Sequence, residues 1–172
     1  MILTKYIAVF TVAVTSALGA SQADQTVSDI QAIYGKVASA RQNLDGYDGG
    51  ILSAITVAKS LYDTQKATET ARRNLDASDE FSSEDGEKVA AAFNGLHAES
   101  LDTMRLASEK ASLFQGAGVS LVGRAMLNRM HKEKKAFDEA LMKRVPDEHH
   151  DRIEPSQDEM NGAYEDVFRA FS

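Results

Sequence analysis

From Val27 to Phe171 the apolar residues recur three and four positions apart, and nowhere do they alternate one by one over any length. This pattern restricts the chain to helices packed on helices. Val27, Ile30, Ile33/Tyr34, Val37 and Leu44 form one face, which stops at Asp45-Gly46-Tyr47-Asp48-Gly49-Gly50; Ser28 with Gln31 offers a capping box near its start. A second segment runs from Ile51 to about Leu75, with Ile51, Ile55, Ala58, Leu61/Tyr62, Ala71 and Leu75 expected inside. Ser82-Ser83-Glu84-Asp85 supplies a hydroxyl cap and acids for the positive end of a third helix, which carries Val89, Phe93, Leu96, Ser100, Met104, Ala107 and Ala111 and closes at Phe114 to Gly118. Val119 to Met142 is a fourth, with Val122, Met126, Met130, Phe137 and Leu141 on one side. In the last, Ile153, Met160, Tyr164, Val167/Phe168 and Phe171 are in phase, but Pro155 interrupts. Proline removes a backbone donor and collides with the preceding turn, so a kink, or a short piece followed by a helix starting near Pro155, is expected. The fold class is all-α: a bundle of about five amphipathic helices joined by short polar loops.

The first residues set the compartment. One lysine, Lys5, precedes a run of apolar and small residues from Tyr6 to Ala20, and Ser21-Gln22-Ala23 follows with small residues where a signal peptidase reads; Ala17-Leu18-Gly19 is the alternative candidate for cleavage. The run is too short for a transmembrane helix, which needs ~20 apolar residues. Residues 1–23 are therefore expected to be a secretory signal and residues 24–172 a single mature domain, secreted and without a transmembrane anchor. Their removal takes away only Lys5, moving the formal net charge from -7 to -8. A negative balance argues against a nucleic-acid partner, because such binding draws on Lys and Arg neutralising phosphates. The chain has no cysteine, which rules out thiol nucleophiles, disulfides and Cys-ligated metals. A secreted domain of this kind depends on packing alone.

No catalytic constellation emerges. Glu148-His149-His150-Asp151 has metal-ligand residue types, but adjacent helical residues point about 100° apart and cannot easily share one ion. His131 beside Lys132, Glu133, Lys134 and Lys135 reads as a polar face. No serine lies in a Gly-x-Ser-x-Gly elbow, and Gly116-Ala117-Gly118 lacks the Lys and Ser/Thr of a phosphate loop. An enzyme, a metal site and a cofactor are not expected. Met104, Met126, Met130 and Met160 all fall at inward positions, where this flexible, polarizable side chain either fills irregular gaps or lines an adaptable apolar site.

Several segments together resemble the fungal hydrophobic surface-binding protein A family, which includes the cell-wall galactomannoproteins. They are Val27-Ser28-Asp29-Ile30 running to Tyr47-Asp48-Gly49-Gly50, Phe81-Ser82-Ser83-Glu84-Asp85, the Lys110 to Gly118 turn, Phe137 to Lys143 before Val145-Pro146, and Tyr164 to Phe171. The resemblance covers roughly Thr26 to Phe171. It implies a secreted, non-enzymatic bundle, free or associated with the cell wall, that adsorbs to hydrophobic surfaces and helps recruit hydrolases there, or encloses a fatty acid between its helices. In the enclosed form Phe93, Met104, Met126, Met130, Phe137, Met160 and Tyr164 would line the cavity, with Lys or Ser near its mouth meeting a carboxylate. The alternative is a secreted helical effector or cell-wall protein with a closed core, acting through protein contacts.

Overall fold

Each predicted apolar stripe forms a helix in the computed structural model, which describes residues 21–172; residues 1–20, holding most of the expected signal segment, lie outside them. The helices are α1 (Gln22–Asp45), α2 (Ile51–Asp76), α3 (Ser83–Gly116), α4 (Ser120–Met142) and α5 (Glu154–Ala170). A short 3-10 helix, Asp147–Arg152, joins α4 to α5. No strand occurs among the described residues.

Local chemistry fixes the helix ends. The Ser21 hydroxyl accepts from the Asp24 amide while the Asp24 carboxylate accepts from the Ser21 amide, a reciprocal capping box. The helix therefore starts ahead of the expected Ser28/Gln31 box, because Ala23 and Thr26 are already buried and extend the inward stripe by two turns. Ser82 caps α3 as expected, accepting from the Asp85 amide. Pro155 stands in the first turn of α5, where its missing donor has no intrahelical partner to lose. The 3-10 segment before it is the short piece anticipated from the proline.

The helices form a ring in the order α1, α2, α4, α5, α3 and back to α1. The α1 seams with α2 and α3 are extensive, whereas α4 meets α5 and α3 only over short stretches. Ion pairs and capping contacts tie the long seams: Arg41 to Glu99 across α1 and α3 at 2.6 Å, and Arg72 to Glu133 across α2 and α4 at 2.6 Å. Arg144 donates to the Leu75 and Asp76 carbonyls, satisfying the C-terminal end of α2 and fixing the far end of α4 against it. At the opposite end, buried Tyr47 stacks on Phe114 at 4.2 Å, and Lys110 donates to the Asp45 and Tyr47 carbonyls, tying the α1–α2 loop to α3.

Helix α2 corrects part of the inward assignment. Ile51, Ile55 and Tyr62 face outward, and Ala54, Val57, Ser60, Thr64, Ala71 and Leu75 form the inner stripe. Both sets satisfy helical spacing, and the smaller one is inside because α2 packs closely along α1. Val122, expected inward on α4, is also exposed.

Gly86 on α3 has a close packing role. A Cβ there would stand 2.7 Å from the Pro146 ring and 2.9 Å from His149. Gly86→Ala is expected to lower stability by about 1–2 kcal/mol, the clash outweighing the gain in helix propensity. Gly95→Ala on the same helix, where a Cβ meets nothing within 4 Å, should leave stability unchanged or raise it. Denaturant titration of the two variants checks the pair.

Candidate functional site

Because five inward stripes of unequal bulk meet around one axis, they leave space where small or flexible side chains face one another. All five helices border that space. Ile33, Val37 and Ala40 come from α1; Leu61, Thr64 and Thr68 from α2; Phe93, Leu96, His97, Ser100, Thr103 and Met104 from α3; Met130, Lys134, Phe137 and Asp138 from α4; Met160 and Tyr164 from α5. Its surface is overwhelmingly apolar. The three threonines add little polarity, since Thr64, Thr68 and Thr103 each donate their hydroxyl to the carbonyl four residues back in their own helix.

Of the residues expected to line a cavity, Phe93, Met104, Met130, Phe137, Met160 and Tyr164 converge here. Met126 does not. It lies in a second apolar space, an open groove between the starts of α2 and α4 that also involves Ile51, Ile55, Val57, Leu61, Phe114, Val119 and Val122. Around this groove Ile51 is 61% exposed, Leu52 82%, Ile55 60%, Leu121 81% and Val122 60%, a contiguity of large apolar side chains that isolated surface residues do not show. A narrow void bordered by Leu61, Met104, Phe114 and Leu127 lies between the two. Leu61 borders all three spaces, and Met104 borders the central cavity and the void. From Val122 to Lys134 along α4 is ~18 Å at 1.5 Å per residue, comparable to one acyl chain, or about half the ~30 Å hydrocarbon thickness of a bilayer.

The central cavity holds about 80 Å³, the void about 30 Å³ and the groove about 100 Å³. Apolar cavities of ~150 Å³ accept benzene, and sites for larger molecules run to ~300 Å³ and beyond. An acyl chain therefore enters this ring only if helices part, and the short α4–α5 seam is where least contact is lost. His131 and Lys134 hold that seam. The His131 ring stacks on Tyr164 at 4.5 Å and lies 3.3 Å from the Asn161 side-chain oxygen, and Lys134 donates to the Gln157 carbonyl at 3.2 Å. The expectation that His131 belongs to a solvated polar face is thus corrected: an aromatic neighbour two turns from the end of α5 draws it inward.

One end of the cavity is polar, a feature that residue spacing alone did not single out. Lys134 pairs with Asp138 Oδ2 at 2.6 Å, both side chains being largely withdrawn from solvent. Burial pushes the Asp138 carboxyl above the ordinary aspartate range, although the Lys134 charge opposes the shift. His97, also bordering the cavity, meets Glu159 of α5 at 2.9 Å. The i, i+4 spacing of Lys134 and Asp138 was visible, but so was the equally spaced exposed pair Lys59 and Asp63, and nothing local distinguishes them. His149 and His150 donate to the Ser83 and Val145 carbonyls. Among the described residues no group of three or more His, Asp or Glu side chains is placed to hold a metal ion, and no helix is long and apolar enough to cross a membrane.

Comparison with known proteins agrees with the fold. Residues 23–143 match the family described as hydrophobic surface binding protein A. Three solved structures share the fold: AfMp4p in complex with palmitic acid (20% identity, TM-score 0.84, covering 87% of this chain and 99% of that one), ligand binding domain 1 of Penicillium marneffei MP1 protein complexed with arachidonic acids (19%, 0.80, 84% and 95%), and domain 2 of the same protein complexed with multiple arachidonic acids (21%, 0.79, 87% and 94%). No curated protein matches.

Burial holds the His131 imidazole below its usual pKa. As pH falls through the ordinary histidine range, the unfolded chain takes its proton before the folded one, so stability present above that range is lost. The melting temperature is expected to fall between pH 7 and 5, and to fall less in His131→Phe, which keeps the stacking on Tyr164; differential scanning calorimetry across that range reads both slopes.

Proposed function

The chain belongs to the hydrophobic surface binding protein A family, and on that premise we propose that it is a secreted, non-enzymatic protein that takes a fatty-acid-like chain into the space between its helices and adsorbs to apolar surfaces through the α2–α4 groove. The observation that supports interior binding is the shared lining: every helix of the ring turns apolar side chains onto one cavity, and that cavity adjoins the exposed groove through the residues around Leu61 and Met104. Four solved structures of the same fold are complexes with palmitic or arachidonic acid.

The energetics favour opening. Each methylene withdrawn from water contributes ~0.8 kcal/mol, so a chain of some fifteen methylenes contributes on the order of 10 kcal/mol. Against this stand the contacts of the α4–α5 seam and the ordering of the lipid. Helix α4 is anchored at its far end by Arg144, while its first turn has no side-chain cap and its Ser120 hydroxyl is buried without a partner. A swing of the near half of α4 away from α5 opens the cavity while retaining the anchored end. Met residues at 104, 126, 130 and 160 can repack around a guest because their side chains are unbranched and flexible.

Adsorption through the exposed groove would bring a bound hydrolase to an apolar substrate, and recruitment of that kind, together with secretion and any wall association, is part of the same proposal. Signal cleavage after Gly19 retains the Ser21 cap and buried Ala23, which cleavage after Ala23 would remove. The closed-core alternative draws on the small volume of the cavity as it stands.

Thermal melting separates the two readings. At a hundredfold excess over Kd a bound fatty acid stabilises by ~2.7 kcal/mol, which for a domain of this size raises Tm by roughly 5–10 °C. Met104→Trp, filling the junction of cavity and void, is expected to weaken fatty-acid binding at least tenfold. Val122→Asp is expected to reduce retention on alkyl-coated beads while leaving interior binding in place. Absence of any thermal shift, of lipid in mass spectra of the secreted protein and of retention on the beads would overturn the proposal, and failure of the protein to hold an esterase on the beads would remove the recruitment part.

A further inference from the structure

The polar end of the cavity has an unbalanced set of donors and acceptors. Lys134 uses all three of its protons, on Asp138 Oδ2 at 2.6 Å, the Gln157 carbonyl at 3.2 Å and the Asn161 side-chain oxygen at 3.4 Å. Asp138 is 7% exposed and borders the cavity, yet its Oδ1 has no hydrogen-bond partner. A buried acceptor left in this condition is costly, and native structures normally satisfy it. Gln157 Nε2 on α5 is likewise buried without a partner and makes no hydrogen bond to Asp138 Oδ1, so this oxygen lacks a donor, and an incoming headgroup is a group that can bring one.

Resting on the interior-binding reading above, we propose that the Lys134–Asp138 pair is the headgroup end of the cavity, and that a fatty acid is held there with one proton shared between its carboxyl group and Asp138. An ionised carboxylate would bring a second anion to a site whose one cation, Lys134, already has all three protons engaged, and two carboxylates in such a place cannot both remain charged. A protonated carboxyl group instead donates its O–H to Asp138 Oδ1, a short, charge-assisted bond. Which of the two carboxyls carries the proton is immaterial, because a coupled pair titrates as a unit. The proton comes from solvent, since a free fatty acid is ionised near neutral pH, as a glutamate side chain is, and before binding Asp138 stands as the anion of its 2.6 Å ion pair with Lys134. No bond other than hydrogen bonds is made or broken.

The surroundings agree. From α3 the titratable neighbour is His97, itself on Glu159 of α5; from α4 they are Lys134 and Glu139; from α5 it is Tyr164. The cavity residues of α1 and α2 are all uncharged. Burial raises the Asp138 carboxyl, with Lys134 opposing, and raises the Tyr164 phenol, which stays protonated. Nothing else at this end offers a second cation to an ionised ligand except His97, which is already engaged.

The test is the pH dependence of binding for two ligands of equal chain length, dodecanoic acid and 1-dodecanol, each kept monomeric, with the full mature chain between pH 6 and 8. Uptake of one proton per acid weakens its affinity about tenfold per pH unit across this range, while the alcohol, which brings its own O–H, shows no such slope. Calorimetry in two buffers of different ionisation enthalpy counts the proton directly in the wild-type protein. In Asp138→Asn the slope for the acid should vanish, and in His97→Gln and His131→Phe it should persist. A flat profile for the acid in the wild type, or a slope that survives in Asp138→Asn, overturns the proposal while leaving interior binding intact. Failure of both ligands to bind at any pH overturns the interior-binding reading and this inference with it.

Discussion

Closure of the ring at the α4–α5 seam is the constraint on which the rest of this structure depends. Two helices, α2 and α3, are held firmly through α1, and α4 and α5 extend from them to complete the circle. The last seam is short, and its contacts are the stacking of His131 on Tyr164 and the hydrogen bonds of Lys134 to α5. With no disulfide to fix the separation, the distance between α4 and α5 is set by how well the inward side chains fill the middle. They fill it almost completely, and the small remainder is apolar except at one end.

That balance is what would let a tightly packed bundle also serve as a container. Core side chains normally interdigitate to crystal-like density, and a ring with four firm seams and one weak one concentrates its adaptability in the weak one. Opening costs the seam's contacts but exposes few backbone groups, since every helix keeps its own hydrogen bonds. The groove at the starts of α2 and α4 adds an apolar entry on the same side of the molecule as the uncapped first turn of α4. In the proposed function, adsorption to a surface and uptake of a chain would thus draw on adjoining residues rather than separate devices.

The helical class and the approximate helix boundaries were legible because spacing and capping chemistry are local. Six of the seven apolar residues expected to line an enclosed site face one cavity, since a helical stripe that is apolar in sequence turns toward the bundle axis. Met126 was misplaced because at its level Leu127 takes the inward position, bordering the void, while Met126 turns toward α2 and the groove. The inward assignment of Ile51, Ile55 and Tyr62 failed for a related reason. Two interleaved stripes satisfied the same period, and the bulkier was chosen although close helix packing required the smaller. The buried placement of Lys134 and Asp138 was not legible at all, because an i, i+4 ion pair looks the same on a solvated face and at the end of a cavity.

The claim that most needs direct test is that the guest enters the ring. Methionines report on it, since Met104, Met130 and Met160 border the central cavity whereas Met126 borders only the groove. In a protein with 13C-labelled methionine methyl groups, titration with a long-chain fatty acid should shift the Met104, Met130 and Met160 resonances and give intermolecular NOEs from them to the acyl chain. Perturbation confined to Met126, with no contact between the chain and the three interior methyls, would contradict the account and leave only adsorption to the outer face.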